Sequence, residues 1–244
     1  GPIDGLKQPR GQVFELRVKA PGGPDGFIAT LRAAGLEVWF DLSELREADA
    51  SEGMMHSLEH HRTFHDIQFA AMPVVSVLKG AVIGAGFELA SATHIRIAER
   101  STYYALPEGS RGIFLGGGGS VRISRLIGVS RVTDMMMTGR TYDAAEGYMF
   151  GFSQYLVDDG AGLAKGIEVA RRASQNASLS TYAIIQALPR IVEMSPEQGL
   201  MAEAMMTGVV QSSECAAVVI TPPSGICSAT RSRACRSRRS GRRW

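Results

Sequence analysis

Two glutamates lie twenty positions apart within GAVIGAGFELASATHIRIAERSTYYALPEGSRGIFLGGGGSVRISRLIG, residues 80–128, a stretch dense in glycine. Glu88 and Glu108 are therefore candidates for a general acid and base acting on one substrate. Each also has a plain structural reading. Glu88 falls in the first turn of an expected helix, where the dipole favours an acid, and Glu108 lies in a Pro-Glu-Gly loop.

The turn Gly84-Ala85-Gly86 ends an expected strand and leads into that helix, so the first backbone N–H groups of the helix have no internal partners and point ahead of the turn. Small residues there let an acyl oxygen approach closely. Negative charge developing on that oxygen would be stabilised by fixed donors and by the helix dipole. The Ala85 N–H is the donor chosen for this role.

The elements that must position these groups follow from hydrophobic patterning. QVFELRVKA reads as a strand, DGFIATLRAAG as a short helix stopped by Gly35, and LEVWFDL as another strand. Residues 43–69 read as a long amphipathic helix capped by Ser43, with Leu45, Met54, Met55, Leu58, Phe64 and Ile67 as its apolar stripe and Gly53 as a potential break. MPVVSVLKG is a buried strand, followed by the glycine turn, a helix from about Glu88, and the strands HIRIAE and STYYAL. The run from Gly116 to Gly128 is expected to be a helix, as are SRVTDMMMTG, residues 160–176 and about 196–211, with SQYLVDD as a strand.

The chain has 244 residues, 45% of them apolar, which is enough for one globular domain with a substantial core. Its longest apolar region, Ala70 to Ala90, is interrupted by Lys79, Glu88 and several glycines, and does not make a membrane span. No secretory signal is read at the start, and the opening Gly-Pro resembles a tag-removal scar. Cys215, Cys227 and Cys235 lack the close spacing of a zinc site, so a reducing, cytoplasmic setting and no metal are expected.

Against this background, residues 72–154 resemble the core of the crotonase superfamily, the enoyl-CoA hydratase/isomerase family. PVVSVLKGAVIGAGFELA is similar to the family's strand-turn-helix with its Gly-x-Gly-x-Glu pattern. ALPEGSRGIFLGGGGSVRISRLIG is similar to its Pro-Glu segment, followed by Gly-x-Gly-Gly and two arginines. Glu88, Glu108, Gly112, Gly116, Gly118, Gly119, Arg122 and Arg125 fall into register without a gap, and TGRTYDAAEGYMFGFSQYLV resembles the segment that follows.

The resemblance implies an α/β crotonase-like fold, a spiral of ββα units, over residues 1–220, with an atypical and incomplete N-terminal portion in residues 1–40. It implies an enoyl-CoA hydratase, a lyase in which two glutamates flank the double bond of a 2-enoyl thioester and share one water. Glu88 would orient and deprotonate water, and Glu108 would protonate the α carbon. Two carboxyls around one water push their pKa values apart, so that one is ionised and one protonated near neutrality. Gly84, Gly86 and Gly116 would shape the turns against the substrate. An acyl-CoA thioester is the implied partner, with coenzyme A entering as part of the substrate and no separate cofactor, and a homotrimer or hexamer is the implied assembly. An isomerase or another acyl-CoA-processing crotonase is the alternative activity.

The chain departs from the family pattern where a second oxyanion donor is expected. Without a gap that position is Val38, followed by Trp39 where the family has glycine; a four-residue insertion would instead recruit Ala34 and Gly35. A bulky residue at the glycine position would obstruct the acyl tunnel or strain the backbone. An activity impaired by the atypical N-terminus is therefore expected.

Other candidates are weaker. His56, His60, His61 and His65 form two i,i+4 pairs on different faces of the expected helix, with no glutamate between them in the zincin arrangement, so a solvated face is expected. Tyr103 and Tyr104 are assigned to strand packing, and the methionines at 135–137 and 201–206 to helix core or subunit contact.

The segment 221–244, TPPSGICSATRSRACRSRRSGRRW, offers almost no large apolar surface and is expected to be a disordered basic tail. Its seven arginines leave the rest of the chain at +2 less 7, a net of −5. Such an Arg/Ser/Ala/Gly-rich run is what a high-GC gene read out of frame would yield. Binding of RNA or another polyanion by this tail, on a catalytically weak homologue, is the non-enzymatic alternative. Truncation after Ile220 should leave the melting temperature unchanged, and a clear drop would show that the segment packs. Nucleic-acid binding that is steeply salt-dependent and lost on this truncation would support the alternative.

Overall fold

The computed structural model describes residues 12–15 and 49–212. The expected Ser43 cap, the elements between residues 25 and 42, the three cysteines and the basic segment 221–244 lie outside the described residues.

Each of two successive units sends one strand to each of two sheets. In the first, β2 (Val74–Leu78) turns at Gly80 into β3 (Ala81–Ile83), and α2 (Ala85–Ala92) follows. In the second, β4 (Ile95–Glu99) leads to β5 (Tyr103–Ala105) and a 3-10 turn at Gly109–Arg111. A four-stranded sheet runs β1-β2-β4-β7, with β1 at Gln12–Glu15 and β7 at Tyr155–Val157, and every pairing in it is parallel. The second sheet pairs β3 with β5 in parallel and β5 with β6 (Tyr142–Asp143) antiparallel. This stacking of paired strands and helices is the expected crotonase-like α/β spiral.

The run VVSVL is buried at every position of β2, as a parallel strand covered on both faces must be. On one face α6 (Gly162–Ala173) lays Val169 and Ala170 against Val75 and Ile97. The other core joins Phe87 of α2, Tyr104 of β5 and Phe152, whose rings meet pairwise at centroid distances of 4.5–5.2 Å. The Tyr104 hydroxyl is 2.6 Å from Ser153 Oγ, so the strand-packing assignment of this phenol holds and its polar tip is satisfied. Burial pushes that phenol up to about 12. α3 (Gly119–Ile127) and α4 (Val129–Thr138) close this core with Ile123, Ile127, Val132 and Met135.

Three expectations are corrected. The long helix α1 (Ala50–Gln68) begins after Asp49, which forms a capping box with Glu52, and runs unbroken through Gly53 because the Gly53 N–H still reaches the Asp49 carbonyl. Its expected apolar stripe does not form: Phe64 is buried, whereas Met54, Met55 and Leu58 are exposed. The helix expected from Gly116 starts at Gly119, since Gly116–Gly118 form a loop whose amides turn elsewhere. β3, α5 (Ala144–Met149) and the successive helical segments α7 (Ser178–Gln186) and α8 (Leu188–Ile191) are not expected from the sequence, because short or evenly apolar runs carry little periodic signal. α2, α4, α6 and α9 (Pro196–Gln211) fall close to the patterning.

Because Phe87 joins α2 to the aromatic cluster, Phe87→Ala should destabilise the protein by about 3–5 kcal/mol. A urea titration would measure this, and a loss below about 1 kcal/mol would mean that the cluster does not anchor α2.

Candidate active site

α2 begins at Ala85 behind Gly84, whose φ of 54° and ψ of −124° suit glycine alone. The N–H groups of Ala85, Gly86 and Phe87 head the helix and have no helical carbonyl to meet. Gly84 and Ala85 are only partly buried, whereas Gly86 to Ala92 are buried. The turn therefore presents its donors at an accessible helix end.

Glu88 sits on the first turn of α2 with 3% of its surface exposed. Its Oε1 accepts from the Gly117 N–H at 2.9 Å and from the Gly119 N–H at 2.8 Å. A Cβ on either glycine would fall 2.9 Å or less from a Glu88 atom, so the glycines are required by close approach rather than by flexibility. Burial raises the Glu88 carboxyl above its usual range, against the opposing pull of the two amides, of His61 and of Arg122.

Glu108 reaches the same region from the loop after β5 and is 6% exposed. Its Oε1 lies 2.9 Å from where a Gly84 Cβ would stand, which places the carboxyl beside the turn that carries Ala85. Its Oε2 is buried without a hydrogen-bond partner. Burial is the main cause that pushes Glu108 up to about 7, and the charge of Glu88 adds to the rise. The structure thus brings Glu88, Glu108, Gly84, Ala85 and Gly86 together, two raised carboxyls at one helix N-terminus.

Gly116 directly precedes Gly117 in the loop that meets Glu88, and its carbonyl is held by Ser57 Oγ at 2.7 Å. Ala34 and Val38, the two alternatives for a second donor, lie outside the described residues. Among the described residues no cluster of His, Cys, Asp and Glu is arranged to hold a metal.

The sequence reading missed the support that α1 supplies. Ser57, His61, Phe64 and Gln68 repeat at helical spacing and face the glycine loop. Phe64 packs on Gly117. Gln68 Oε1 accepts from Arg122 Nε at 2.7 Å, and Arg122 Nη1 donates to the Gly117 carbonyl at 2.9 Å. The signal in the sequence is a mixed polar and aromatic stripe, which apolar periodicity does not mark.

A paired-strand spiral with two buried carboxyls beside a helix N-terminus defines a crotonase-type α/β protein. Residues 34–218 match the family model described as enoyl-CoA hydratase/isomerase, and the chain belongs to that family. It is 31% identical over 165 residues to the "Probable enoyl-CoA hydratase 2, mitochondrial" of Arabidopsis thaliana, an alignment covering 68% of this chain and 55% of that one. The chain thus spans about half the length of this plant relative. The short-chain-enoyl-CoA hydratase of Clostridium acetobutylicum is 27% identical over 174 residues, 71% of this chain and 67% of that one. A solved structure of a candidate enoyl-CoA hydratase from Rhodopseudomonas palustris CGA009 superposes with a TM-score of 0.72 at 51% identity, covering 80% of this chain and 82% of that one. None of the helices among the described residues is long and apolar enough to cross a membrane.

The raised Glu108 has a consequence for stability. With a folded-state pKa of about 7 against an ordinary 4.5, the folded chain holds an extra proton between those values, so this group makes stability fall as pH rises through that window. Glu108→Gln cannot ionise and escapes the fall. The difference in melting temperature, mutant minus wild type, should therefore be larger at pH 8 than at pH 5; an equal or smaller difference at pH 8 would contradict the raised value.

Proposed function

We propose that the protein is an enoyl-CoA hydratase-type lyase that adds water across the double bond of a 2-enoyl-CoA thioester. The reading rests on one observation above all: a buried Glu108 carboxyl with a free Oε2 and a pKa near 7 faces the helix turn that carries Ala85, with ionisable Glu88 on the same turn. A carboxyl of that pKa is half protonated at neutrality and suits proton donation.

In this mechanism Glu88, steadied by two amides, takes a proton from water as the water oxygen bonds to the β carbon. The alkene electron pair moves toward the thioester, building enolate charge on the carbonyl oxygen, where the Ala85 N–H and the α2 dipole stabilise it. Glu108 delivers its proton to the α carbon and the enolate collapses to the 3-hydroxyacyl thioester. Glu88 leaves protonated and Glu108 ionised, and exchange with solvent resets both. In the reverse direction the roles trade. Gly84 and Gly86 keep side chains away from the acyl oxygen, and Gly116 backs the loop that holds Glu88. Coenzyme A is handled as part of the substrate, with no separate cofactor, in a cytoplasmic homotrimer or hexamer.

The unequal holding of the two acids supports a second reading. Glu88 is engaged by two amides while Glu108 Oε2 is free, an arrangement that would also serve a single-acid isomerase moving a proton along a 3-enoyl thioester.

Loss of conjugated absorbance from a panel of 2-enoyl-CoA thioesters tests both. Glu88→Gln and Glu108→Gln should each lower turnover by roughly 10²- to 10⁴-fold. Full hydration by either mutant removes that residue from the mechanism, and loss in Glu108→Gln alone with conversion of 3-enoyl to 2-enoyl thioester establishes the isomerase. With Glu108 as proton donor, kcat/KM for hydration should fall as pH rises through about 7. A flat profile between pH 6 and 8 would rule out this donor.

A further inference from the structure

We propose that Ser57 and His61 of α1 are positioning residues that act on Glu88 through the one peptide group joining Gly116 to Gly117; the proposal rests on Glu88 being the base. A peptide is a rigid plane with an acceptor at one end and a donor at the other. At the acceptor end, Ser57 Oγ donates to the Gly116 carbonyl at 2.7 Å. At the donor end, the Gly117 N–H donates to Glu88 Oε1 at 2.9 Å. A hydrogen bond to the carbonyl draws electron density from the nitrogen, so the N–H becomes a better donor to the carboxylate.

His61 extends the chain by one link. The Ser57 hydroxyl hydrogen is committed to Gly116, so its oxygen is free to accept, and His61 Nε2 lies 3.4 Å away. The hydrogen in this contact therefore belongs on Nε2. Ser57 and His61 are one helical turn apart, so α1 carries both as a unit, and Phe64 on the next turn holds the helix against Gly117. Imidazole, hydroxyl, peptide and carboxylate thus form one polarised line into the site. Each link favours the ionised form of Glu88, the form that accepts a proton.

The other charged groups facing Glu88 are Arg122 from α3 and Glu108 from the loop after β5, with Arg111 acting on Glu108. Ser57→Ala leaves all of these and His61 in place. It removes the donor to the Gly116 carbonyl and with it the acceptor for His61 Nε2, so a change in how Glu88 titrates reports on the line that runs through Ser57 and the peptide.

The test compares wild type, Ser57→Ala, Ser57→Thr and Glu88→Gln in the full chain, with a short straight-chain 2-enoyl-CoA as probe. Ser57→Ala should lower kcat by about 5- to 10-fold, the effect of one lost hydrogen bond, while KM stays within about twofold. The acid limb of kcat/KM should move up by roughly half a pH unit, and Ser57→Thr, which keeps the hydroxyl, should restore both. Carbon-13 NMR of glutamate-labelled protein reads the same quantity without activity: the Glu88 carboxyl, assigned by its absence in Glu88→Gln, should titrate higher in Ser57→Ala than in wild type or Ser57→Thr. His61→Ala should move it in the same direction, through the lost link and through the lost direct pull of His61 on Glu88, so Ser57→Ala is the variant that decides. A Ser57→Ala protein that is slower or less stable but whose Glu88 titrates as in wild type would show that Ser57 merely pins the loop, and would overturn the proposal. Full hydration by Glu88→Gln would instead refute the base assignment, while the NMR titration would still judge the link itself.

Discussion

The two hydrogen bonds from Gly117 and Gly119 to Glu88 Oε1 are the constraint around which the site is organised. An acid buried to 3% exposure on an otherwise apolar helix would be driven to its neutral form by desolvation alone. Two backbone donors oppose that. They require the loop to approach within a distance that no side chain tolerates, which is why glycine occupies both positions and why α3 starts at Gly119 rather than at Gly116. One carboxylate thereby determines the path of a loop and the start of a helix.

The same constraint explains the polar face of α1. A loop whose amides point inward to Glu88 leaves carbonyls pointing outward, and these need donors. Ser57 and Arg122 supply them to Gly116 and Gly117, with Gln68 orienting the guanidinium. His94 adds a further tie, accepting from the Val74 N–H at 2.8 Å while its other ring nitrogen lies 3.0 Å from the Gln68 carbonyl, so the end of α1 is joined to the start of β2. The helix that looks from composition like a solvated connector is the outer wall of the carboxylate cage.

Glu108 stands in contrast. It shares the burial but has only its own backbone N–H in place of two loop amides, and its Oε2 is left without a partner. Two carboxyls of the same type in one region are thereby given different proton affinities by different surroundings, one moderated by amides and one raised to about 7. That asymmetry is what the proposed base-and-acid pair would need at one pH, and it has a cost in stability above neutrality.

The family, the strand-turn-helix and the two acids were legible in residues 72–154, because the Gly-x-Gly-x-Glu and Pro-Glu segments encode local geometry: a positive-φ residue at Gly84, a helix start, and acids at set distances along the chain. Buried strands such as VVSVL were equally legible, since burial on both faces demands a continuous apolar run. What the chain by itself did not disclose was which face of α1 packs. Met54, Met55 and Leu58 suggested an apolar stripe, and they are exposed, while polar Ser57 and Gln68 face inward. The tertiary structure decided this, because the surface α1 meets presents the Gly116 carbonyl and Arg122 beside the glycines on which Phe64 packs, and hydrogen-bond demand there places Ser57 and Gln68 inward. The start of α3 and the unequal surroundings of Glu88 and Glu108 were decided in the same way, by groups far apart in sequence that only folding brings within a few ångströms.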